Sequence, residues 1–432
     1  MENTSVNPGP RALPASCTSM PVNLAGLACF LGALYAIRHF SVEPVKGSML
    51  AILAFAAPVA LLEAVFLKTY KRPSTGLDFS RSNPPDIGRV AVKLTGLYLT
   101  LCLAALYYRA IPEYRDPFYA PYWELVKYAL PAMVFGGIPY FFILDRYSDR
   151  HADGYWHLGL LVTGGWAGAD RRIIAQHLLG WLVKVFFLAV MFSYLAGNIA
   201  FVRAHDPARA LDNFRVFYVH LYNLIFTVDL AFVCAGYLLT LRILDSHIRS
   251  VEPTLLGWMA ALACYRPFWD LIYTNYLHYD DNYAWGNWLW TNEAGYIVWG
   301  SAILFLLLVY VWATLPFGLR FSNLTHRGIL TNGPYRFMKH PAYVSKNIAW
   351  WLICIPFISR NGPAEAFVNS LLLLAVNFIY AGRAWTEERH LSKDPVYVEY
   401  AAALESRSVF RRLFRALSPA PAGGGKSDRI SG

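Results

Sequence analysis

Ten apolar stretches, each long enough to cross about 30 Å of hydrocarbon as a helix, set the fold of this sequence. They cover 21–37, 48–67, 90–110, 123–144, 176–201, 217–244, 253–275, 293–315, 341–358 and 364–380. In hydrocarbon every backbone N–H and C=O must be satisfied internally, so such a chain becomes a bundle of transmembrane helices. Only 15% of its 432 residues are charged, against roughly 25% in soluble domains. The expected class is all-α: a polytopic bundle of about ten spans, ending in a helical hairpin and a cytoplasmic amphipathic helix. The first and ninth stretches are short, and the seventh contains Arg266 and Asp270, so nine spans is the alternative count.

The charges between the stretches alternate. Lys68, Lys71, Arg72 and Arg89 lie between the second and third, Arg146, Arg150, Arg171 and Arg172 after the fourth, and Arg242 and Arg249 after the sixth. Arg320, Arg327, Arg336 and Lys339 precede the ninth, whereas the loop after the seventh carries Asp280 and Asp281. By the positive-inside rule both termini are expected in the cytoplasm. The formal net charge of +10 therefore reflects topology. Nucleic acid is excluded as a partner, because the basic residues sit between apolar spans and not on one polar face. The N-terminus lacks a basic n-region and a cleavage site, and with short loops this points to a bacterial inner membrane. The six cysteines form no metal or disulfide spacing and read as small core residues.

Four units are expected: a polar N-terminal tail (1–20), a transmembrane bundle with room for a lipid substrate (21–318), a compact C-terminal unit (319–417), and a Pro/Gly/Ser-rich disordered tail (418–432). The C-terminal unit carries the densest chemistry. In "GPYRFMKHPAYVSKNIAWW" (333–351) the Gly-Pro pair breaks the chain, and Pro341 suits the first turn of a helix. Lys339 and His340 then sit beside unpaired N–H groups at a helix start, which favour carboxylate or phosphate. A tight turn, "SRNGP", returns the chain into "YAGRAWTEERHLSKDPVYVEY", where Arg383 and Glu387 share a helical face. The hairpin is expected to gather Arg336, Lys339, His340 and Tyr343 near Arg383, Glu387, Glu388 and Tyr397. Topology signals and intrahelical ion pairs account for these charges singly. Both signs of charge framed by aromatics suit a zwitterionic ligand with an aromatic base.

Gly333, Tyr335, His340, Pro341 and Tyr343, followed by a hairpin and by Arg383, Glu387, Glu388, Leu391, Tyr397 and Tyr400, resemble the isoprenylcysteine carboxyl methyltransferase family, which belongs with membrane phospholipid methyltransferases. The likeness covers roughly the last quarter of the chain. It implies S-adenosylmethionine at the cytoplasmic membrane face, with Tyr335, Lys339, His340, Tyr343, Glu388 and Tyr397 around the cofactor. Glu387 assists at the ammonium or adenosine, Arg383 orients the acceptor, and the acceptor is a membrane lipid or an isoprenylated molecule. No metal is needed, since methyl transfer from a sulfonium is mostly alignment in a dry site. Lys339 stands where the family has arginine, and Ser345 where it has glycine.

In the N-terminal bundle, Asp229 lies in the middle of the sixth stretch, Arg266 and Asp270 are four apart in the seventh, and Glu63 and Lys184 lie inside the second and fifth. Intramembrane charges default to function, so Asp229, Arg266 and Asp270 are candidate substrate contacts; interhelical ion pairing is the plainer reading. The "HYDD" run (278–281) puts neighbours on different faces and is not expected to hold a metal. Two other functions fit the chain. One is an NADPH-dependent reductase of a sterol-like or polyprenyl substrate, with Arg327, Arg336 and Lys339 on the extra phosphate. The other is a lipid transporter built from the N-terminal bundle.

Overall fold

The computed structural model describes residues 11–80 and 83–407. The expected disordered tail 418–432, the end of the C-terminal unit (408–417) and residues 1–10 lie outside the described residues. The helices are α1 Met20–His39, α2 Pro44–Phe66, α3 Ile87–Ala110, α4 Ala120–Tyr147, α5 Gly154–Val162, α6 Arg171–Ala204 and α7 Phe214–Leu238. They continue as α8 Leu255–Leu262, α9 Phe268–Asn275, α10 Trp285–Trp288, α11 Glu293–Thr314, α12 Pro341–Cys354, α13 Pro363–Leu391 and α14 Pro395–Arg407. Local sequence sets several starts. Asp86, Asp170, Asn213 and Asn292 each accept a backbone N–H in the first turn of α3, α6, α7 and α11, satisfying donors the helix leaves free.

Eight helices among the described residues are long and apolar enough to cross a membrane. The protein is a membrane-embedded, multi-pass helical bundle. Two of the ten expected spans differ. Stretch 253–275 is not one helix but two, α8 and α9, of 8 residues each. Pro267, which has no N–H to donate, lies at the break, and Arg266 beside it reaches Glu113 (3.4 Å) and Asp116 (3.5 Å). Stretch 341–358 holds only the 14-residue α12, about 21 Å of helix. Ile355 turns left-handed (φ 45°) at its end, and Pro356 cannot continue the helix.

Both segments still carry the chain from one end of the bundle to the other. At one end, strand β1 (Ser250–Val251) pairs antiparallel with β2 (Thr325–His326), joining the segment after α7 to the segment after α11. At the opposite end, Asp281 accepts from the Arg360 backbone N–H at 3.0 Å, joining the segment before α11 to the turn after α12. The ladder end and the Asp281 end thus fix the direction of every crossing.

The core centres on α6, whose 34 residues extend about 50 Å. Val183, Phe187, Phe192, Leu195 and Ile199 on it are wholly buried, and Phe55 of α2 stacks on Phe232 of α7 at 3.6 Å. Helices α3 and α5 cross backbone to backbone: a Cβ on Gly96 would stand 1.9 Å from the Tyr155 carbonyl oxygen, and one on Gly159 2.0 Å from that of Val92. A buried ion pair ties α2 to the segment after α11: Arg320 Nη1 donates to both oxygens of Glu63, at 2.8 and 3.0 Å.

The described part of the N-terminal tail is an ordered strap. Cys17 N–H donates to the Ile329 carbonyl at 3.0 Å, and Thr331 Oγ1 to that of Pro14 at 2.8 Å. Further along, Arg11 N–H donates to Ser406 Oγ at 3.2 Å. Leu13 packs on the small core of Ile329, Tyr397, Tyr400 and Leu404.

Candidate functional site

A cleft at the ladder end lies between α8, α11, α12 and α13. Its volume is about 130 Å³. One wall begins at Gly333, whose positive φ (54°) only glycine adopts without strain, so the chain turns back under Pro316. A short 3-10 turn follows (Gly333–Arg336), then Lys339 and His340, then Pro341 opens α12. The opposite wall is the last three turns of α13.

The two walls meet through charged and aromatic contacts. Glu388 accepts from Lys339 Nζ at 2.8 Å and pairs with His340 Nε2 at 2.9 Å. Tyr343 OH donates to Glu387 at 2.8 Å, and the His340 and Tyr343 rings stack at 5.4 Å. One turn deeper, Arg383 donates to Asn323 Oδ1 at 2.6 Å and to Tyr265 OH at 3.3 Å, with Tyr343 under its guanidinium at 5.2 Å. Lys346 lies over the rings of Trp350 (4.6 Å), Tyr310 (5.6 Å) and Tyr380 (5.9 Å). Cations in such aromatic surroundings are held by ring faces without a fixed counter-ion. At the rim, buried Glu252 takes Arg389 Nη2 at 3.1 Å.

Of the residues singled out from the sequence, Tyr335, Lys339, His340, Tyr343, Arg383 and Glu387 line the cleft, and Glu388 fastens two of them. Tyr397 does not line it. It packs behind Tyr335 in the small core that Leu13 covers, while Tyr400 OH donates to the Tyr335 carbonyl at 2.8 Å. Arg336 points away and is exposed. Asp229 lies behind the cleft wall: it accepts from Tyr310 OH at 2.7 Å and Thr314 Oγ1 at 2.6 Å, both of which line the cleft. Arg266 and Asp270 are four apart and paired at 3.4 Å. They stand outside the cleft, where Arg266 also gathers Glu113 and Asp116.

Of the three cations named for an extra phosphate, only Lys339 lines the cleft. Arg327 is buried and donates to the carbonyls of Gly236 (2.8 Å), Phe321 (2.7 Å), Leu319 (3.0 Å) and Ser246, and burial followed by the neighbouring Arg320 lowers its pKa to about 9. Lys339 gives one of its three N–H donors to Glu388. The sequence reading missed Asn323, Tyr265 and Lys346. Asn323 and Tyr265 lie outside the C-terminal motif, and nothing in their local sequence marks them. Lys346 carries a signal, a single lysine inside an apolar helix six residues after His340.

The donor set suits a zwitterion with an aromatic base. Glu387 has one oxygen without a partner among the described residues, Lys339 and Lys346 offer positive charge, His340 offers a ring nitrogen, and Tyr335, Tyr343 and Phe317 offer ring faces. Comparison with family models, with curated proteins and with solved structures finds no match for this chain.

Proposed function

We propose that the protein is an S-adenosylmethionine-dependent methyltransferase acting on a lipidic or isoprenylated acceptor. The observation that carries this reading is the meeting of two motif segments across one cleft, with His340 and Lys339 on Glu388 and Tyr343 on Glu387. The basic ladder end would face the cytoplasm, by its Lys and Arg content.

The cofactor supplies an electrophilic methyl group on a sulfonium. Glu387, at the mouth, would take the amino-acid ammonium; Lys339 and His340 would take the carboxylate; Tyr335 and Tyr343 would cover the base and the sulfonium charge. Arg383, buried and held by Asn323 and Tyr265, would orient an anionic or carbonyl-bearing acceptor from below. A fixed guanidinium fork loses little freedom when it does so. The apolar helices around the cleft would exclude water and admit the acceptor's lipid part.

Calorimetry on detergent-purified protein tests the reading. Micromolar S-adenosylmethionine binding, abolished in Glu387→Ala and weakened in His340→Ala, supports it. NADPH binding without S-adenosylmethionine binding would replace the methyltransferase with a reductase, and binding of neither would sink both.

A further inference from the structure

A second cavity lies in the N-terminal bundle, across β1 from the cleft, between α4, α5, α6 and the segment after α7. It measures about 320 Å³. Its lining is basic. Lys184 lies about two fifths of the way along α6, has only the Trp181 ring (3.5 Å) beneath it, and has no carboxylate or hydrogen-bond acceptor among the described residues. The Arg242 guanidinium has no partner among the described residues either; its backbone N–H donates to Tyr140 OH at 3.0 Å and its carbonyl accepts from the Asp245 N–H at 2.8 Å.

The other lining groups do not neutralise these two. Arg249 reaches Asp245 at 3.4 Å, but that carboxylate also faces Arg72 (3.1 Å) and Arg320 (3.8 Å). Asp153, the acid in the lining, is engaged by buried Lys93 at 2.9 Å. His177 Nε2 pairs with Thr100 Oγ1 at 2.9 Å, and buried His247 Nδ1 has no partner among the described residues. Two cations, Lys184 and Arg242, and an imidazole nitrogen unsatisfied among the described residues therefore face one cavity without compensating charge, and Arg249, exposed and shared with Asp245, adds a third cation at its edge. Burying cations unpaired is costly, and the cost is relieved when an anion arrives with acceptor oxygens.

We propose that this cavity is an anion site for a phosphate group, held by Lys184, Arg242 and Arg249 with His247 as a further hydrogen-bonding group. Phosphate fits because its several oxygens accept from separate donors, and because guanidinium forks match it bidentately. The group arrives either as free phosphate or as the head of an anionic lipid. The site is independent of the methyltransferase reading. It shares only a wall with the cleft: Ser250 and Val251 face the phosphate cavity and Glu252 faces the cleft.

The test uses full-length protein in neutral-detergent micelles, titrated by calorimetry with inorganic phosphate, with dihexanoyl phosphatidic acid and with dihexanoyl phosphatidylcholine. Wild type should bind at least one of the first two, and Lys184→Gln and Arg242→Gln should each weaken that binding about ten-fold, roughly the loss of one charge-assisted contact. Phosphate binding as tightly as phosphatidic acid identifies a free-anion site; clearly tighter phosphatidic acid identifies a lipid head-group site. If no phosphate probe binds wild type, or if both variants bind as wild type does, the proposal is overturned. Should Lys184→Gln fail to fold, the wild-type titration and Arg242→Gln, nearer the solvent-exposed loop, still decide.

Discussion

The Glu63–Arg320 pair offers the sharpest test of how the two halves of the chain are joined. Both side chains are within 2% of full burial, and Arg320 spends one nitrogen on Glu63. Its other donors reach the Asp245 carbonyl (3.1 Å) and the Leu244 carbonyl (3.2 Å). Removing one member of a buried pair costs about 3–5 kcal/mol, because the other is left charged without a partner. In Glu63→Leu, Asp245 at 3.8 Å takes up part of that loss, which sets the expectation near the lower end, about 3 kcal/mol. Glu63→Gln keeps one acceptor and should cost about 2 kcal/mol. Arg320→Leu should cost more, about 4–5 kcal/mol, since it strands Glu63 and also frees two buried carbonyls. The double variant, Glu63→Leu with Arg320→Leu, removes both charges and should be much less damaged than the sum of its parts, with coupling of at least ~2 kcal/mol. Unfolding in mixed detergent micelles, followed by tryptophan fluorescence, gives all four values. Strictly additive losses, or a Glu63→Leu protein within ~0.5 kcal/mol of wild type, would refute the claim that this pair locks α2 to the C-terminal unit.

Three further outcomes follow from the geometry. Gly96→Ala must push a Cβ into the Tyr155 carbonyl, 1.9 Å away, and should cost about 1–3 kcal/mol, whereas Gly32→Ala, with nothing within 4 Å, should be neutral or slightly stabilising; the same unfolding assay separates them. Asn323→Ala removes the 2.6 Å acceptor of Arg383 and, on the methyltransferase reading, should lower kcat about 10–100-fold while leaving S-adenosylmethionine affinity within about two-fold, as turnover and calorimetry together would reveal. Burial, then the nearby Arg242, lowers the His247 pKa to about 4 from 6.5. The unfolded chain therefore takes up this proton first, so the contribution is full above pH 6.5 and is lost as pH falls toward 4, by up to about 3 kcal/mol. Acid titration of stability should be shallower by one proton in His247→Gln, and an unchanged slope would refute it.

The span pattern was legible because hydrocarbon leaves a chain few choices. The exceptions are local and physical. Stretch 253–275 has the length and the apolarity of a span, yet Arg266 finds its counter-charges on the 113–116 loop, far away in sequence. Periodicity carries no information about such a partner. The ninth stretch was counted through Pro356, where the helix cannot continue. In the cleft, Lys339, His340, Glu387 and Glu388 were legible because a short hairpin brings their two segments together whatever the rest of the bundle does. Asn323 and Tyr265 reach Arg383 only through the packing of α8 and the segment after α11 on α13. Asp229 was legible as an oddity, a carboxylate amid apolar residues, but its place behind Tyr310 and Thr314 depends on how α7 packs against α11.

The N-terminal strap ties the beginning of the described chain to its end. Arg11 touches Ser406 and Arg407, and Leu13 covers the same small core that supports Tyr335 from behind. Residues 11–18 are made well before their partners at 400–407, with nearly four hundred residues between them still to be threaded into the bilayer. The small core behind Tyr335 therefore cannot be completed until α14 has been made. A nascent chain halted before α14 would hold every long helix and still have both ends open, on the same side of the membrane, as a ready mark of an unfinished protein.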